Sequence, residues 1–196
     1  MTLTYNYECI LSILIENQPS VLTRIVGLFT RRGFTIENLT IGNSEYTNLS
    51  RMIVVFFGNM RLANQIMRQL YKLFAVVKID NLTTLPLITR ELMLIKLFVN
   101  EKNRREIIEI VDIFNLEVLD FTNRTITLEV VENSKKFLVI EQLLNKFEIL
   151  EKVGTGKIAL LKESITSGKF YKIDQEKLRR KIMHSHVYEF EKKLYK

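Results

Sequence analysis

The stretch LIENQPSVLTRIVGLFTRRGFTIENLTIG, Leu14 to Gly42, decides the fold. It opens inside a nearly continuous apolar run, Cys9-Ile10-Leu11-Ser12-Ile13-Leu14-Ile15, rich in β-branched residues. Such a run reads as a strand buried on both faces. Glu16-Asn17-Gln18-Pro19-Ser20 breaks it. Asn17 or Gln18 can cap a helix whose first turn carries Pro19, where a missing N–H costs nothing. Leu22, Ile25, Val26 and Phe29 then recur at helical spacing. Arg31-Arg32 suits the negative end of the helix dipole, and Gly33 reads as a left-handed stop. Phe34 to Ile41 alternates as a strand, with an irregularity expected near Glu37-Asn38.

Outward from this stretch the pattern continues. Gly42 to Asn48 is a polar turn, and Ser50 to Phe57 completes a hairpin that Gly58-Asn59 ends. Ala63, Ile66, Met67 and Leu70 mark a second helix, with Phe74 one turn on, and Val76, Val77, Ile79 and Leu82 a closing strand. After a joint at Leu85-Pro86-Leu87 the order restarts with a strand from Glu91 to Val99. A helix carrying Ile107, Ile110, Val111 and Phe114 follows, then a hairpin of Leu116–Phe121 and Thr125–Val131. Ile140, Leu143, Leu144 and Phe147 mark the last helix, and Ile149–Val153 and Lys157–Leu161 are short strands around Gly154-Thr155-Gly156.

The expected fold is therefore α+β: two tandem ferredoxin-like βαββαβ units, residues 8–84 and 88–163, each an antiparallel sheet with helices on one face. The other face of each sheet needs a cover too, and dimerisation is the simplest one. Residues 164–196 differ. They are charge-rich, with helix formers after Asp174 and a loose stripe of Leu178, Ile182, Val187, Phe190 and Leu194, and read as a basic helical or partly disordered extension.

Composition narrows the class. Of 196 residues, 47% are apolar and 26% charged, which argues against wholesale disorder. No apolar run approaches the roughly 18 residues of a membrane span. The opening MTLTYNYE has neither the charged region nor the cleavage site of a secretory signal, and lacks the Arg and Ser of a transit peptide. A single cysteine, Cys9, fits a reducing compartment. The net charge is +7, but residues 163–196 carry +4 of it, leaving the body nearly balanced. That is no nucleic-acid footprint. Scarce alanine with abundant isoleucine, lysine and asparagine resembles the imprint of an AT-rich genome.

Motifs of catalysis are missing: no P-loop, GxGxxG, GxSxG or zinc-spaced Cys/His set occurs. No catalytic residue and no metal ligand is expected. His184 and His186, two apart, do not share a helix face, and Cys9 in an apolar strand reads as inert core. The informative segment is the turn after the first strand. Free N–H groups at a helix N-terminus favour a small carboxylate, and Asn17 offers both donor and acceptor. An amino acid would suit it, with its side chain against Val21, Leu22 and Ile41. The alternative is that Asn17 only caps the helix.

Leu14 to Gly42 closely resembles the amino-terminal segment of the acetolactate synthase (acetohydroxyacid synthase) small, or regulatory, subunit family, V-E-N-x-P-G-V-L-x-R-[IV]-x-G-L-F-x-R-R-G-[FY]-N-I-E-S-L. Leu49-Ser50-Arg51-Met52, Gln69-Leu70-Tyr71-Lys72-Leu73 and Arg90-Glu91-Leu92-Met93-Leu94-Ile95-Lys96 match later blocks in order, and Gly154-Thr155-Gly156-Lys157-Ile158-Ala159-Leu160 resembles R-T-G-R-[IV]-A-L. The resemblance implies an amino-terminal ACT domain that binds an amino-acid effector and forms a homodimer, followed by an ACT-like domain. It implies a catalytic large subunit as partner, holding thiamine diphosphate, Mg²⁺ and FAD, in valine, leucine and isoleucine biosynthesis. It also implies no cofactor on this chain, activation of that partner, and feedback inhibition by valine. The effector residues implied are Asn17, Gln18, Pro19, Ser20, Val21, Leu22, Thr35, Ile36 and Ile41.

Two departures fall within that set. Ser20 stands where the family has Gly, and Thr35 where it has Asn. A lost hydrogen bond to a charged ligand group is worth roughly 1.5–3 kcal/mol, about tenfold or more in affinity. Retained activation with valine sensitivity reduced or altered is the expectation. Two other readings compete: a stand-alone ACT-type sensor for another enzyme, and an RNA-binding βαββαβ sheet. The second suffers because Phe56 and Phe57 are adjacent and must point to opposite faces. Neither nucleic acid nor membrane is an expected partner. A plastid that encodes the gene itself, or a bacterial cytoplasm, fits the composition, with the plastid preferred.

Overall fold

Cys9 to Glu16 of strand β1 (Tyr7–Glu16) are buried without interruption. A strand with no polar face must be covered on both sides, and both covers are found. The computed structural model describes residues 7–162, so the extension expected over 164–196, with His184 and His186, lies outside the described residues. β1 pairs antiparallel with β3 (Leu49–Gly58) and β4 (Val76–Asn81), and β2 (Ile36–Asn43) lies outside β3, giving the order β2-β3-β1-β4. The first cover is helical. Helices α1 (Val21–Arg31) and α2 (Met60–Leu70) bring Ile25, Phe29, Ile66 and Leu70 onto Cys9, Leu11, Ile13, Met52, Val54 and Phe56. Phe29 and Phe56 meet edge to face, 5.8 Å between centroids. Phe56 is fully buried here, while Phe57 next to it is 57% exposed on the opposite face, as strand alternation requires.

The second unit repeats the order with β5 (Leu87–Phe98), α3 (Arg104–Phe114), β6 (Glu117–Phe121), β7 (Thr125–Glu132), α4 (Ser134–Leu144), β8 (Ile149–Gly154) and β9 (Ile158–Leu161). Its sheet runs β6-β7-β5-β8, with α3 and α4 covering Met93, Ile95, Leu97, Leu128 and Val130. The fold is the expected α+β pair of βαββαβ units. Asn59 and Asn133 start α2 and α4, each side-chain oxygen accepting from the N–H three residues on, Leu62 at 2.9 Å and Lys136 at 3.2 Å.

Several details differ from expectation. β5 begins at Leu87, four residues before Glu91, because β9 supplies its first residues with a partner, Leu87↔Leu161 to Arg90↔Ile158. α2 ends at Leu70, and Phe74 lies beyond it, 64% exposed. Pro19 is not in the first turn of α1: the helix starts at Val21 with Ser20 at the cap. The second cover of β1 is the most informative difference. Ile10, Ile53, Val55 and Leu82 pack beneath the sheet with Ala159 of β9, flanked by Leu85, Leu87 and Leu161. This part of the face is covered from within the chain by the second unit, where dimerisation was the expected cover. The bulge expected near Glu37-Asn38 is present, since pairing jumps from Ile36↔Phe56 to Asn38↔Val55.

Candidate functional site

The turn between β1 and α1 is anchored at every step. Glu16 N–H donates to Ala75 O at 2.9 Å, and Asn17 N–H to Asn48 O at 3.0 Å. The Asn17 side-chain oxygen accepts from the Ser50 hydroxyl, and Gln18 Nε2 donates to Glu16 Oε2 at 2.6 Å. Asn17 therefore does not cap α1, which settles one open reading: its amide braces the turn on β3. An amide oxygen has two lone pairs, so the bond from Ser50 leaves one for an incoming donor. At the cap, Ser20 makes no side-chain bond to the helix and sits at φ 69°, ψ 0°, in the left-handed region. That conformation suits glycine, so the side chain at Ser20 costs backbone strain as well as space above the helix N-terminus. Val21 N–H turns back to Gln18 O at 3.4 Å and Arg24 N–H to Ser20 O at 3.0 Å, so a carboxylate at this helix start would look to the N–H groups of Leu22 and Thr23.

The predicted effector residues separate into groups. Asn17, Gln18, Pro19, Ser20 and Leu22 are exposed around the turn. Val21 is not: at 3% exposure it belongs to the core with Ile25 and Phe29, so it supports the turn from below and offers a ligand no surface. Register places the rest. Ile36 is level with Phe56 and Cys9, whereas the turn follows Glu16, level with Leu49. Seven residues of strand separate these levels, about 23 Å at ~3.3 Å per residue. Thr35 and Ile36 thus lie at the far end of the sheet from Asn17 in the same protomer. Ile41, level with Met52 and Ile13, is nearer the turn and 45% exposed along the sheet edge. Spacing in sequence gave no warning of this division, because β3 inserts between β1 and β2 and both run in the same direction.

A cleft of about 350 Å³ on the opposite face was not read from the sequence; it lies between the first sheet and β9, lined by Ser12, Glu45, Arg51, Lys78, Asp80, Leu82, Ala159 and Leu161 among others. Its charges pair internally: Arg51 with Glu45 at 2.6 Å and Lys78 with Asp80 at 2.8 Å, while Arg51 Nη1 donates to Ser12 Oγ at 3.2 Å. The signal available was Ser12, the one polar residue inside an apolar run, level with Ile53 beside Arg51.

Cys9 is fully buried, and burial pushes its thiol above the ordinary value of 9.0; a hydrogen bond with Thr83 pulls the other way and the Glu8 carboxylate adds to the rise. It is a core residue and no nucleophile. No three of His, Cys, Asp and Glu converge among the described residues. Among the same residues, no helix is long and apolar enough to cross a membrane.

Comparison with known proteins bears on both units. Residues 11–78 match the family described as AHAS small subunit-like ACT domain, and residues 90–163 the family described as small subunit of acetolactate synthase. A probable acetolactate synthase small subunit of Methanothermobacter thermautotrophicus is 40% identical over 158 residues, 80% of this chain and 94% of that protein. Acetolactate synthase small subunit 2, chloroplastic, of Arabidopsis thaliana is 38% identical over 154 residues, 79% of this chain but 32% of that longer protein. The crystal structure of the acetolactate synthase small subunit from Thermotoga maritima superposes with a TM-score of 0.74 at 32% identity, covering 80% of this chain and 98% of that one. The chain carries both units of these relatives in the same order, and it belongs to the acetolactate synthase small-subunit family.

Proposed function

We propose that this chain is the non-catalytic regulatory subunit of acetolactate synthase in branched-chain amino-acid biosynthesis. It binds and activates a catalytic large subunit, on which thiamine diphosphate, Mg²⁺ and FAD reside. That partner condenses pyruvate with pyruvate or 2-oxobutanoate and releases CO₂. The observation that carries the reading is the ordered match of both units to the small-subunit family. A plastid accords with the chloroplastic relatives, and a bacterial cytoplasm is the other compartment that fits.

The effector is valine, held at the β1–α1 turn of a homodimer. Its carboxylate meets the N-terminal N–H groups of α1, its ammonium the Asn17 amide oxygen, and its side chain Leu22 and Ile41. The register supports a shared site. Asn17 and Thr35 lie beyond strand levels about 23 Å apart in one protomer, at opposite ends of a sheet whose outer strand is β2. A two-fold axis beside that edge sets each turn next to the partner copy's strand start, because an isologous contact exchanges the two ends. A ligand between protomers then acts by favouring one dimer packing over another. Ser20 and Thr35 weaken this binding. The test is acetolactate formation by the catalytic subunit with and without this chain and valine. Activation by the chain with valine inhibition that tightens at least tenfold in Ser20→Gly/Thr35→Asn is expected. No activation overturns the subunit assignment, and full sensitivity without the substitutions overturns the weakened site.

A further inference from the structure

We propose that the turn joining β8 to β9 is a clasp that couples the edge strand β2 of the first unit to the sheet of the second, and so carries the effector signal between them; the signalling half rests on the function proposed above. The clasp is built from both sides. Lys157 N–H donates to Asn38 Oδ1 at 3.0 Å, and Thr40 Oγ1 donates to Thr155 O at 3.1 Å. Lys157 Nζ pairs with Glu8 of β1, its side chain only 11% exposed. Gly156 closes the fit. It sits at φ +76°, and a Cβ built on it would fall 1.5 Å from the Asn38 side-chain nitrogen. A Cβ there would force the Asn38 amide out of its bond from Lys157, and the backbone conformation disfavours it besides.

The other end of the turn grips the second sheet. Thr155 N–H donates to Leu92 O at 3.0 Å, and Leu92 N–H to Thr155 Oγ1 at 3.3 Å. One three-residue turn, Thr155 to Lys157, thus bonds to β2 on one side and to the middle of β5 on the other. Asn38 follows the bulge in β2, and it pairs with Val55 on the face away from the helices. Ile36 and Ile41, two of the effector residues proposed above, pair with Phe56 and Met52 on the helix face. Residues on the two faces of one strand cannot shift separately, so a tilt of β2 at the effector face displaces Asn38 and Thr40 at the clasp. Coupling of this kind is reciprocal: perturbing either side must be felt on the other.

The experiment uses the full chain and reads both directions. In Asn38→Ala, amide hydrogen exchange of the β5 residues 92–96, across the turn from the altered side chain, should quicken at least tenfold. In Gly156→Ala, exchange of the β2 residues 39–42 should do the same. Unchanged exchange at both remote segments overturns the clasp, whether or not valine binds. The second arm uses valine. Its calorimetric affinity for Asn38→Ala should stay within threefold of the parent chain, while half-inhibition of the reconstituted enzyme moves at least tenfold higher. Inhibition unmoved in Asn38→Ala overturns the signalling half. A parent chain that binds no valine would instead sink the effector part of the proposed function, and with it the signalling half, while the exchange arm would still decide the clasp.

Discussion

Ser20 and Gly33 hold the same left-handed backbone, φ 69° at each, at the two ends of α1. Glycine takes this conformation freely, whereas an L side chain costs roughly 1–2 kcal/mol. Part of that returns on substitution as unfolded-state entropy, about 0.5–1 kcal/mol for a new glycine. Ser20→Gly should therefore stabilise the chain by about 0.5–1 kcal/mol and raise its melting temperature by about 2 °C, read by scanning calorimetry. Gly33→Ala should lower it by a similar or larger margin. A neutral or destabilising Ser20→Gly would show that Ser20 makes a compensating interaction.

Asn59 and Asn133 allow a matched pair of cap tests. Each has extended backbone and accepts one helix N–H, from Leu62 and from Lys136. Removing such a cap costs about 1 kcal/mol. Asn59→Ala should destabilise the first unit and Asn133→Ala the second, by about that amount each. Hydrogen exchange assigns the loss to the unit, quickening amides of α2 in one variant and of α4 in the other. Ser20→Ala, by contrast, should show no cap loss, because its hydroxyl makes no bond to α1.

Much of this architecture was legible because it is written in local periodicity. The apolar run of β1, the four-residue spacing of Ile25 and Phe29, and the alternation of Ile126, Leu128 and Val130 all correspond to core positions. The bulge after Ile36 was legible too, since Glu37-Asn38 interrupts the alternation. Relations between distant segments were not. Nothing in the sequence around Ala159 says that it packs under Ile10, nor that Asn38 receives the N–H of Lys157, 119 residues away. The site suffered for the same reason. Its residue types were readable at the turn, but their division between the two ends of a sheet depends on β3 lying between β1 and β2. Val21 faces the core and not the turn's surface because the first residue of a helix can face either way, and only the tertiary fold decides.

Cys9 makes a prediction with a pH sign. Its thiol has no exposed surface and burial holds its proton above the ordinary value of 9.0. Alkylation by iodoacetamide at neutral pH should follow unfolding alone, slower than in denaturant by more than about 100-fold. The unfolded chain loses this proton near the ordinary value, whereas the folded chain keeps it. Below about pH 9 the contribution to stability is complete, and it falls as pH rises further. Cys9→Ala should remove that part of the alkaline slope, measured as unfolding free energy against pH from 8 to 10.5. Rapid labelling of the native chain would show that β1 opens locally.

The separation of Asn17 from Thr35 makes the shared site testable by complementation. Suppose the turn of one copy and the strand start of its partner form each site. Asn17→Ala then disables the site at its own turn, and Thr35→Arg disables the site at the partner's turn. Homodimers of either variant lose both sites. In a mixed dimer the two lesions fall on the same site, and the other site has a native turn facing a native strand. Random exchange makes half the dimers mixed, with one site in two intact, so calorimetry should recover about a quarter of the parent valine-binding capacity. Sites confined to single protomers give a different result: Thr35, at the far end of the sheet from the turn, then lies outside the site, so the Thr35→Arg homodimer keeps its full capacity and the mixture about half. Full capacity in the Thr35→Arg homodimer and half in the mixture, with exchange of subunits verified by mass spectrometry, would place the ligand within one protomer and return Thr35 to a purely structural role at the start of β2.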